Sequence, residues 1–225
     1  RIVGDRCVRK NGTCTFDFQT CLVLHLAADD DSQGNCIFEL DLSAGGNGFD
    51  VLVDIGDGFE LHSSLRTHRH WRKRKGYRFT LPNRPTTVLV KVVKRTEPQA
   101  MQVLPPITVK PAVLHGLTLS HGYRLSEPTL PERRVEFVGD SDIAAFGSEG
   151  RPTLASGLNF FGLALNYQNV RSSWAYALAG MLGAEASIVA WSGVGVVQNA
   201  LHCGRTLLGE YYERALATVA GSRLD

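Results

Sequence analysis

The sequence lacks several features that define familiar classes of protein. Its 225 residues contain no run approaching the ~18 apolar residues of a membrane-spanning helix, so we expect a protein that is not transmembrane. No Cys-x-x-Cys pair is present, which argues against a zinc site, and we expect neither a metal nor a cofactor. Lysine and arginine number 24 against 22 aspartates and glutamates, and this near balance indicates no particular partner for the chain as a whole.

The cysteines are few and unevenly placed. Four stand near the start, at Cys7, Cys14, Cys21 and Cys36, and the fifth is Cys203. Their close spacing would suit disulfides in an oxidising compartment, and a glycosylation sequon begins at Asn11. The alternative is a set of free thiols buried in strands, where cysteine packs like a small hydrophobe. We expect a secreted protein or one of an organelle lumen, but by a small margin only, because the odd fifth thiol weakens the disulfide interpretation.

Residues 1–121 alternate short apolar segments with turn-forming clusters. Five segments show the alternation of strands: Leu22–Leu26, Phe38–Leu42, Phe49–Ile55, Thr87–Val93 and Val113–Leu119. Many short strands at this spacing predict a β-sandwich. Residues 122–131, with Pro128 and Pro131, are predicted to be a linker.

Beyond residue 132 the apolar period changes. Strands are predicted at 135–138 and 186–191, each followed by a helix. The first helix is capped by Ser172 or Ser173, places Trp174, Leu178, Met181 and Leu182 on one face, and ends at Gly183. The second begins near Thr206 with the apolar stripe Leu208, Tyr211, Tyr212, Ala215 and Val219, and ends at Gly221. The alternation of strand and helix predicts a parallel sheet.

Ser141 stands at the most informative point of the chain. Val135, Phe137 and Val138 predict a buried strand, and Gly139 permits a tight exit from it. A serine after such a strand can present its hydroxyl at the carboxyl edge of a sheet, where open α/β folds bind their ligands.

The segments around this serine resemble a known family. Val135–Ser141, with Phe146 and Gly147 after it, resembles the first block of the SGNH (GDSL-type) hydrolases. Three later segments resemble the second block of one branch, the family-2 carbohydrate esterases, which are acetyl xylan esterase-like enzymes. These segments are Ser173–Tyr176, Leu182–Glu185 and Ile188–Gly195. Two segments resemble strands of that family's N-terminal jelly-roll domain, Gly48–Asp54 and Val92–Glu97. The resemblance implies a jelly-roll β-sandwich over 1–121 and, over 132–225, the first part of an SGNH-type α/β/α domain with a parallel sheet.

The resemblance also implies roles for two residues. Ser141 would be the nucleophile, and the backbone N–H groups of Ser141 and Gly193 would be oxyanion-hole donors. The family's later blocks, Gly-x-Asn-Asp and Asp-x-x-His, are absent from the sequence, and the one histidine after Ser141 is His202. We interpret His202 as a loop or helix-start residue rather than as a base. Asp142 opposes formation of a serine alkoxide, because like charges repel.

The implied domain is also incomplete. The family has a five-stranded sheet, and this chain supplies two of its strands, so one edge of the Ser141 strand lacks a partner. The chain is therefore the front part of a longer protein, or a second polypeptide or larger assembly completes the sheet. The first function hypothesis is a carbohydrate O-acetylesterase that acts through Ser141 on acetylated carbohydrate, with its base on polypeptide outside the chain. The alternative is a catalytically inactive, SGNH-fold structural subunit of a larger assembly.

A basic segment occupies residues 66–75. Its anion-binding candidates are Arg69, Arg72, Lys73, Arg74 and Lys75. Such a segment can contact RNA, anionic lipid or an acidic partner. The alternative is a solvated hairpin tip between sandwich strands.

Overall fold

The computed structural model describes residues 2–3, 6–19, 21–29, 34–65, 73–81, 86–98, 110–150, 167–200 and 206–224. Strands hold far more of these residues than helices do. In chain order the strands are β1 (Ile2–Val3), β2 (Cys7–Lys10), β3 (Thr13–Phe16), β4 (Cys21–Ala28), β5 (Cys36–Ser43), β6 (Phe49–Asp54), β7 (Glu60–Leu65), β8 (Arg74–Leu81), β9 (Thr87–Lys94), β10 (Ala112–Leu119), β11 (Tyr123–Ser126), β12 (Arg134–Gly139) and β13 (Glu185–Ala190). The helices are α1 (Ser141–Ala144), α2 (Trp174–Met181) and α3 (Leu208–Tyr212), with a 3-10 turn at Val170–Ser172.

The first eleven strands form two antiparallel sheets that close over one core. One sheet has the order β1-β4-β9-β6-β7, with β11 also paired to β4, and the other has the order β2-β3-β10-β5-β8. Alternate side chains of each strand point inward, so Phe38 and Leu40 of β5 lie in the same cluster as Val88 and Val90 of β9. This layering is the one expected of a β-sandwich.

All five strands predicted from alternation are present. The structure adds further strands, whose sequences are short or polar. β7 exposes most of its residues, and β8 shows alternation only from Tyr77 onward. Neither sequence pattern predicts a strand. Both segments are strands because they pair with a buried neighbour, β7 with β6 and β8 with β5.

The predicted linker over 122–131 is partly wrong. Its residues Tyr123–Ser126 form β11, which pairs with β4 from Tyr123 opposite Ala28 to Ser126 opposite His25. Burial of the Tyr123 ring in the sandwich core outweighs the tendency of the nearby prolines to form an irregular connection.

β12 and β13 form a separate parallel pair, in register from Arg134 opposite Glu185 to Gly139 opposite Ala190. Phe137 and Ile188 point to one face, where they pack with Ala175 and Ala179 of α2. Val189 points to the opposite face and packs with Tyr211 of α3 and with Phe18 and Trp191. The predicted parallel pairing is therefore present, with helical segments on both of its faces.

The two predicted helices differ from expectation in detail. Ser173 caps α2 by accepting a hydrogen bond from the Tyr176 N–H, as predicted. However, the face buried against the sheet is that of Ala175 and Ala179, whereas Trp174 and Met181 are 55% and 85% exposed. The large residues of the predicted stripe therefore do not form the most buried face, although the Trp174 ring packs edge-on against Phe137 of β12, with 5.7 Å between the ring centroids.

The helix predicted from Thr206 to Gly221 is much shorter than expected. α3 ends at Tyr212, and the chain beyond it forms turns. Side chains take the place of helical hydrogen bonds there: Asp17 accepts from the Thr218 N–H, and Ser222 donates to the Leu216 carbonyl. These long-range contacts override the apolar periodicity.

Two further sequence questions are answered by the described residues. Cys14 and Cys36 are buried on strands and Cys21 is half-buried, as the buried-thiol alternative expects, while Cys7 lies next to Cys14 and Cys203 lies outside the described ranges. Within those ranges no helix is long and apolar enough to cross a membrane.

Candidate active site

Ser141 follows directly on the end of β12. The side chain of Asp140 caps α1 by accepting a hydrogen bond from the Asp142 N–H, at 3.3 Å, and Ser141 is the first residue of that helix. A Cβ atom added to Gly139 would stand 2.6 Å from the Ile143 Cδ1 atom. The glycine therefore leaves room for the tip of the Ile143 side chain, and Ser141 is half-buried at the turn.

Gly193 lies at the same edge of the parallel pair. The Trp191 N–H donates to the Gly139 carbonyl at 3.1 Å, which continues the pairing to the very ends of the two strands. The chain then turns, with the Val194 N–H donating to the Trp191 carbonyl and with Gly193 at φ +78°. Because parallel strands end at one edge, the structure brings the Ser141 turn and the Gly193 turn together.

The turn after Ser141 is held by two buried glutamines. The Ala144 carbonyl accepts hydrogen bonds from the Gln19 Nε2 atom at 2.9 Å and from the Gln168 Nε2 atom at 3.0 Å. Ala145 ends α1 in the left-handed region, at φ 56°. Gln19 comes from the sandwich, so the Ser141 turn is anchored to both structural units.

The turn that contains Gly193 is fixed from several directions. The Ser192 N–H donates to the Glu97 Oε2 atom, and the Ala200 N–H donates to the Gly193 carbonyl at 2.8 Å. Asn199 closes the loop by accepting from the Gly195 N–H and donating to the Thr206 carbonyl, at 3.0 and 2.9 Å. The backbone around Gly193 is therefore set by hydrogen bonds on both sides of the glycine.

The sandwich contributes a buried ionic segment to this site, Lys94–Glu97. Glu97 is fully buried, and burial raises its pKa to about 7. Lys94 is equally buried, which lowers its pKa to about 8, and its ammonium group donates to the Thr96 and Glu97 carbonyls. Asp17 faces the same lysine, and burial raises its pKa as well. The sequence does not reveal the place of these residues at the site, because a charged run after an apolar strand ordinarily indicates an exposed strand end.

A second buried network joins the two structural units beside the site. The Asp50 carboxylate accepts hydrogen bonds from Arg95 at 3.1 Å and from Arg171 at 2.8 Å. Arg95 also pairs with Glu149, which accepts from Asn169 at 2.8 Å. Burial by itself raises the pKa of Asp50, but its hydrogen bonds from Ser64 and Arg171 and the charge of Arg95 hold that pKa below its ordinary value.

The described residues of the β12–β13 unit include no histidine that could serve as a base for Ser141. His25 and His115 lie on sandwich strands, where they hydrogen-bond Ser126 and Ser43. His202 lies outside the described residues. The part of the chain that the structure describes also contains no group of three His, Cys, Asp or Glu side chains able to hold a metal ion.

Only the end of the basic segment, residues 73–75, lies within the described residues. Arg69 and Arg72 lie outside the described residues, whereas Lys73 is exposed just before β8. Arg74 and Lys75 belong to β8 rather than to a loop, with Arg74 paired to Asp41 and the Lys75 ammonium 5.4 Å from the centre of the Tyr77 ring. These residues lie on a different sheet from Ser141, and their role in anion binding stays a prediction.

A cavity of about 100 Å³ lies elsewhere, between Cys21, Tyr176 and Glu185. Glu185 is the first residue of β13, so this cavity is at the opposite end of that strand from Gly193. It is separate from the Ser141 site.

Solved structures place the fold among the family-2 carbohydrate esterases, and the resemblance predicted from the sequence is confirmed at the level of the fold. An esterase of this family from Clostridium thermocellum, solved with cellohexaose, has a TM-score of 0.75 at 20% identity. The match covers 100% of this chain and 61% of that one. An esterase of the same family from Cellvibrio japonicus has a TM-score of 0.70 at 17% identity, over 100% and 59% of the two chains. An acetyl xylan esterase from Butyrivibrio proteoclasticus has a TM-score of 0.67 at 17% identity, over 99% and 54%.

Sequence comparison gives a narrower match. The chain is 34% identical over 84 residues to the cellulase/esterase CelE of Acetivibrio thermocellus, which is 37% of this chain and 10% of the relative. No family model matches the chain. The chain therefore spans about 60% of the solved esterases and a tenth of the curated relative.

Proposed function

We propose that the chain is part of a serine hydrolase of the carbohydrate O-acetylesterase type. The observation that carries the proposal is the placement of Ser141 and Gly193 at one edge of a parallel strand pair, within a fold shared with family-2 carbohydrate esterases. In this proposal the sandwich is the family's jelly roll and the β12–β13 unit is the first part of an SGNH-type domain. The substrate is an acetylated carbohydrate.

The reaction is an acyl transfer from the sugar to water. The Ser141 oxygen attacks the acetyl carbonyl carbon while a base takes the hydroxyl proton, and the carbonyl electron pair moves to its oxygen. The backbone N–H groups of Ser141 and Gly193 donate to this oxyanion. Collapse of the intermediate breaks the ester bond, and the departing sugar oxygen takes the proton from the base. Water then repeats the sequence on acetyl-Ser141 and releases acetate.

The base comes from polypeptide outside these 225 residues. We propose that this polypeptide, either a longer form of the chain or a second subunit, pairs along the edge of β12 that faces away from β13. Support comes from β12, which pairs with β13 alone among the described strands, and from the apolar side chain of Val138 on that strand, which is 39% exposed. An unpaired parallel strand with apolar neighbours is rarely left open to water.

The second candidate is a catalytically inactive subunit that uses the same fold as a scaffold. The lack of a histidine among the described residues of the β12–β13 unit favours it, as does Asp142, whose carboxylate follows the serine directly.

Labelling with a fluorophosphonate separates the two candidates. Such reagents modify only a serine that a base activates. We expect the protein isolated from its source to be labelled, with the modified peptide containing Ser141, and we expect Ser141→Ala to remain unlabelled. A wild-type assembly that resists the reagent at every concentration tested would favour the scaffold.

A further inference from the structure

We propose that Glu97 is a positioning residue that holds the Gly193 N–H in its oxyanion-binding orientation. This inference rests on the proposed function. The residue belongs to the sandwich, and nothing in its local sequence connects it with the Ser141 site.

The contact that carries the inference lies one residue before Gly193. The Ser192 N–H donates to the Glu97 Oε2 atom, which fixes the peptide plane that enters the turn. The Ala200 N–H fixes the next plane by donating to the Gly193 carbonyl. The peptide that presents the Gly193 N–H lies between these two planes, so its direction depends on the hydrogen bonds at both of its ends.

The same sandwich segment also reaches the nucleophile turn. The Glu97 N–H donates to the Gln168 Oε1 atom at 3.1 Å, and the Gln168 Nε2 atom donates to the Ala144 carbonyl. Gln19 forms a parallel link, because its Nε2 atom donates to the carbonyls of both Arg95 and Ala144. Residues 95–97 therefore connect the Ser141 turn with the Gly193 turn, and they set the separation of nucleophile and oxyanion donor.

The contact with Ser192 needs an acceptor oxygen at the right distance, and it does not need a charge. Glu97 is fully buried, and its second oxygen, Oε1, has no hydrogen-bond partner. The nearby groups are Lys94, Asp17, Gln168 and Ser192. An amide of the same length would keep the acceptor oxygen and avoid the cost of a buried charge. The length of the side chain, which brings one oxygen to the Ser192 N–H, is therefore the property that the site uses.

Two substitutions separate the length of the side chain from its charge. Glu97→Gln keeps the length and loses the charge, whereas Glu97→Asp keeps the charge and withdraws the acceptor by one methylene group. The protein isolated from its source, or expressed with its partners, is compared by amide hydrogen exchange of the peptide containing Ser192 and Gly193. Glu185→Gln serves as the control, because Glu185 is also buried and lies at the other end of β13.

We expect the Ser192 amide to exchange at least tenfold faster in Glu97→Asp and within about threefold of wild type in Glu97→Gln. On acetyl esters, kcat should fall about tenfold or more in Glu97→Asp with KM nearly unchanged. Exchange in Glu97→Asp within twofold of wild type would overturn the inference, as would an equal acceleration in the Glu185→Gln control. Failure of the wild type to hydrolyse any ester would contradict the proposed function. The exchange rates would still show whether Glu97 holds the Ser192 amide.

Discussion

The positions of Ser141 and Gly193 depend on glycines close to each of them in the sequence. Gly139 permits the close approach of Ile143, and Gly195 permits a loop in which an added Cβ atom would stand 1.9 Å from the Gln198 carbonyl oxygen. The first of these glycines could be recognised in the sequence, because it ends a strand directly before the serine. The second could not, because its constraint comes from a loop closed by Asn199.

Replacing Gly195 by alanine should destabilise the protein. The new methyl group meets backbone rather than a flexible side-chain tip, so the loop has to shift, and we expect a loss of ~1–3 kcal/mol in the free energy of unfolding. Gly180→Ala is the matched control, because Gly180 lies in α2 with no heavy atom within 4 Å of an added Cβ. That substitution should stabilise by ~0.5–1 kcal/mol. Urea unfolding of both variants checks the prediction, and equal effects would contradict it.

The buried Glu97 predicts a particular pH dependence of stability. Burial raises its pKa from 4.5 to about 7, so between these values the folded chain holds a proton that the unfolded chain has released. Stability from this group is therefore complete below pH 4.5 and is lost as the pH rises through 7. Asp17 acts in the same direction, whereas Lys94, with its pKa lowered to about 8, acts at higher pH.

In the wild type, the free energy of unfolding should fall by up to ~3 kcal/mol between pH 5 and pH 7 through the ionisation of Glu97. We expect this contribution to be absent in Glu97→Gln. Urea unfolding at several pH values measures this slope. If the wild type and the variant have the same slope across that interval, Glu97 is ionised in the folded protein throughout, and the burial argument is wrong.

At the scale of elements, the parallel pair was predictable and its packing was not. Apolar runs at 135–138 and 186–191 identified β12 and β13, because buried strands are nearly continuous in apolar residues. The face of α2 was misassigned, since the large residues Leu178 and Met181 dominate the helical pattern while Ala175 and Ala179 make the contact. Close approach of a helix to a sheet depends on small residues. A pattern based on large apolar residues does not reveal them.

The outer edge of β12 offers a direct test of whether more polypeptide completes the sheet. The carbonyls of Arg133 and Gly139 accept hydrogen bonds from β13. Because successive residues of a strand point to opposite edges, the amides of Glu136 and Val138 point away from β13. In the isolated chain these amides should exchange at least tenfold faster than that of Phe137.

In the protein from its source, a paired third strand should slow exchange at Glu136 and Val138 by about a hundredfold or more. Hydrogen exchange of the peptide spanning β12 gives this comparison. Equally fast exchange in both forms would mean that no strand pairs here, and the base would have to reach Ser141 by another route.

At the scale of the whole molecule, the sandwich and the parallel unit are joined by buried charges. Asp50 and Arg95 come from the sandwich, and Arg171 and Glu149 come from the other unit. None of these contacts could be predicted from the sequence, because each joins residues distant along the chain. A single sequence shows the pattern of each element, but it does not show which charges of different elements meet.

Replacing Asp50 by asparagine should weaken this junction strongly. The substitution removes the buried carboxylate that Arg95 and Arg171 share and leaves Arg95 with Glu149 alone. Removal of one member of a buried pair costs up to ~3–5 kcal/mol. Asp41→Asn is the control, because Asp41 pairs with Arg74 on the exposed side of β8, where a salt bridge contributes at most ~1 kcal/mol. Thermal unfolding of both variants makes the comparison, and similar losses would show that the buried network does not hold the units together.

The central claim is that Ser141 carries out acyl transfer once the rest of the site is supplied. The measurement that tests it most directly is the release of acetate from an acetylated xylan by the protein isolated from its source, compared with Ser141→Ala. The account predicts turnover by the wild type and a loss of at least a thousandfold in kcat/KM in the variant. Acetate release at equal rates by both proteins, or by neither, would contradict it.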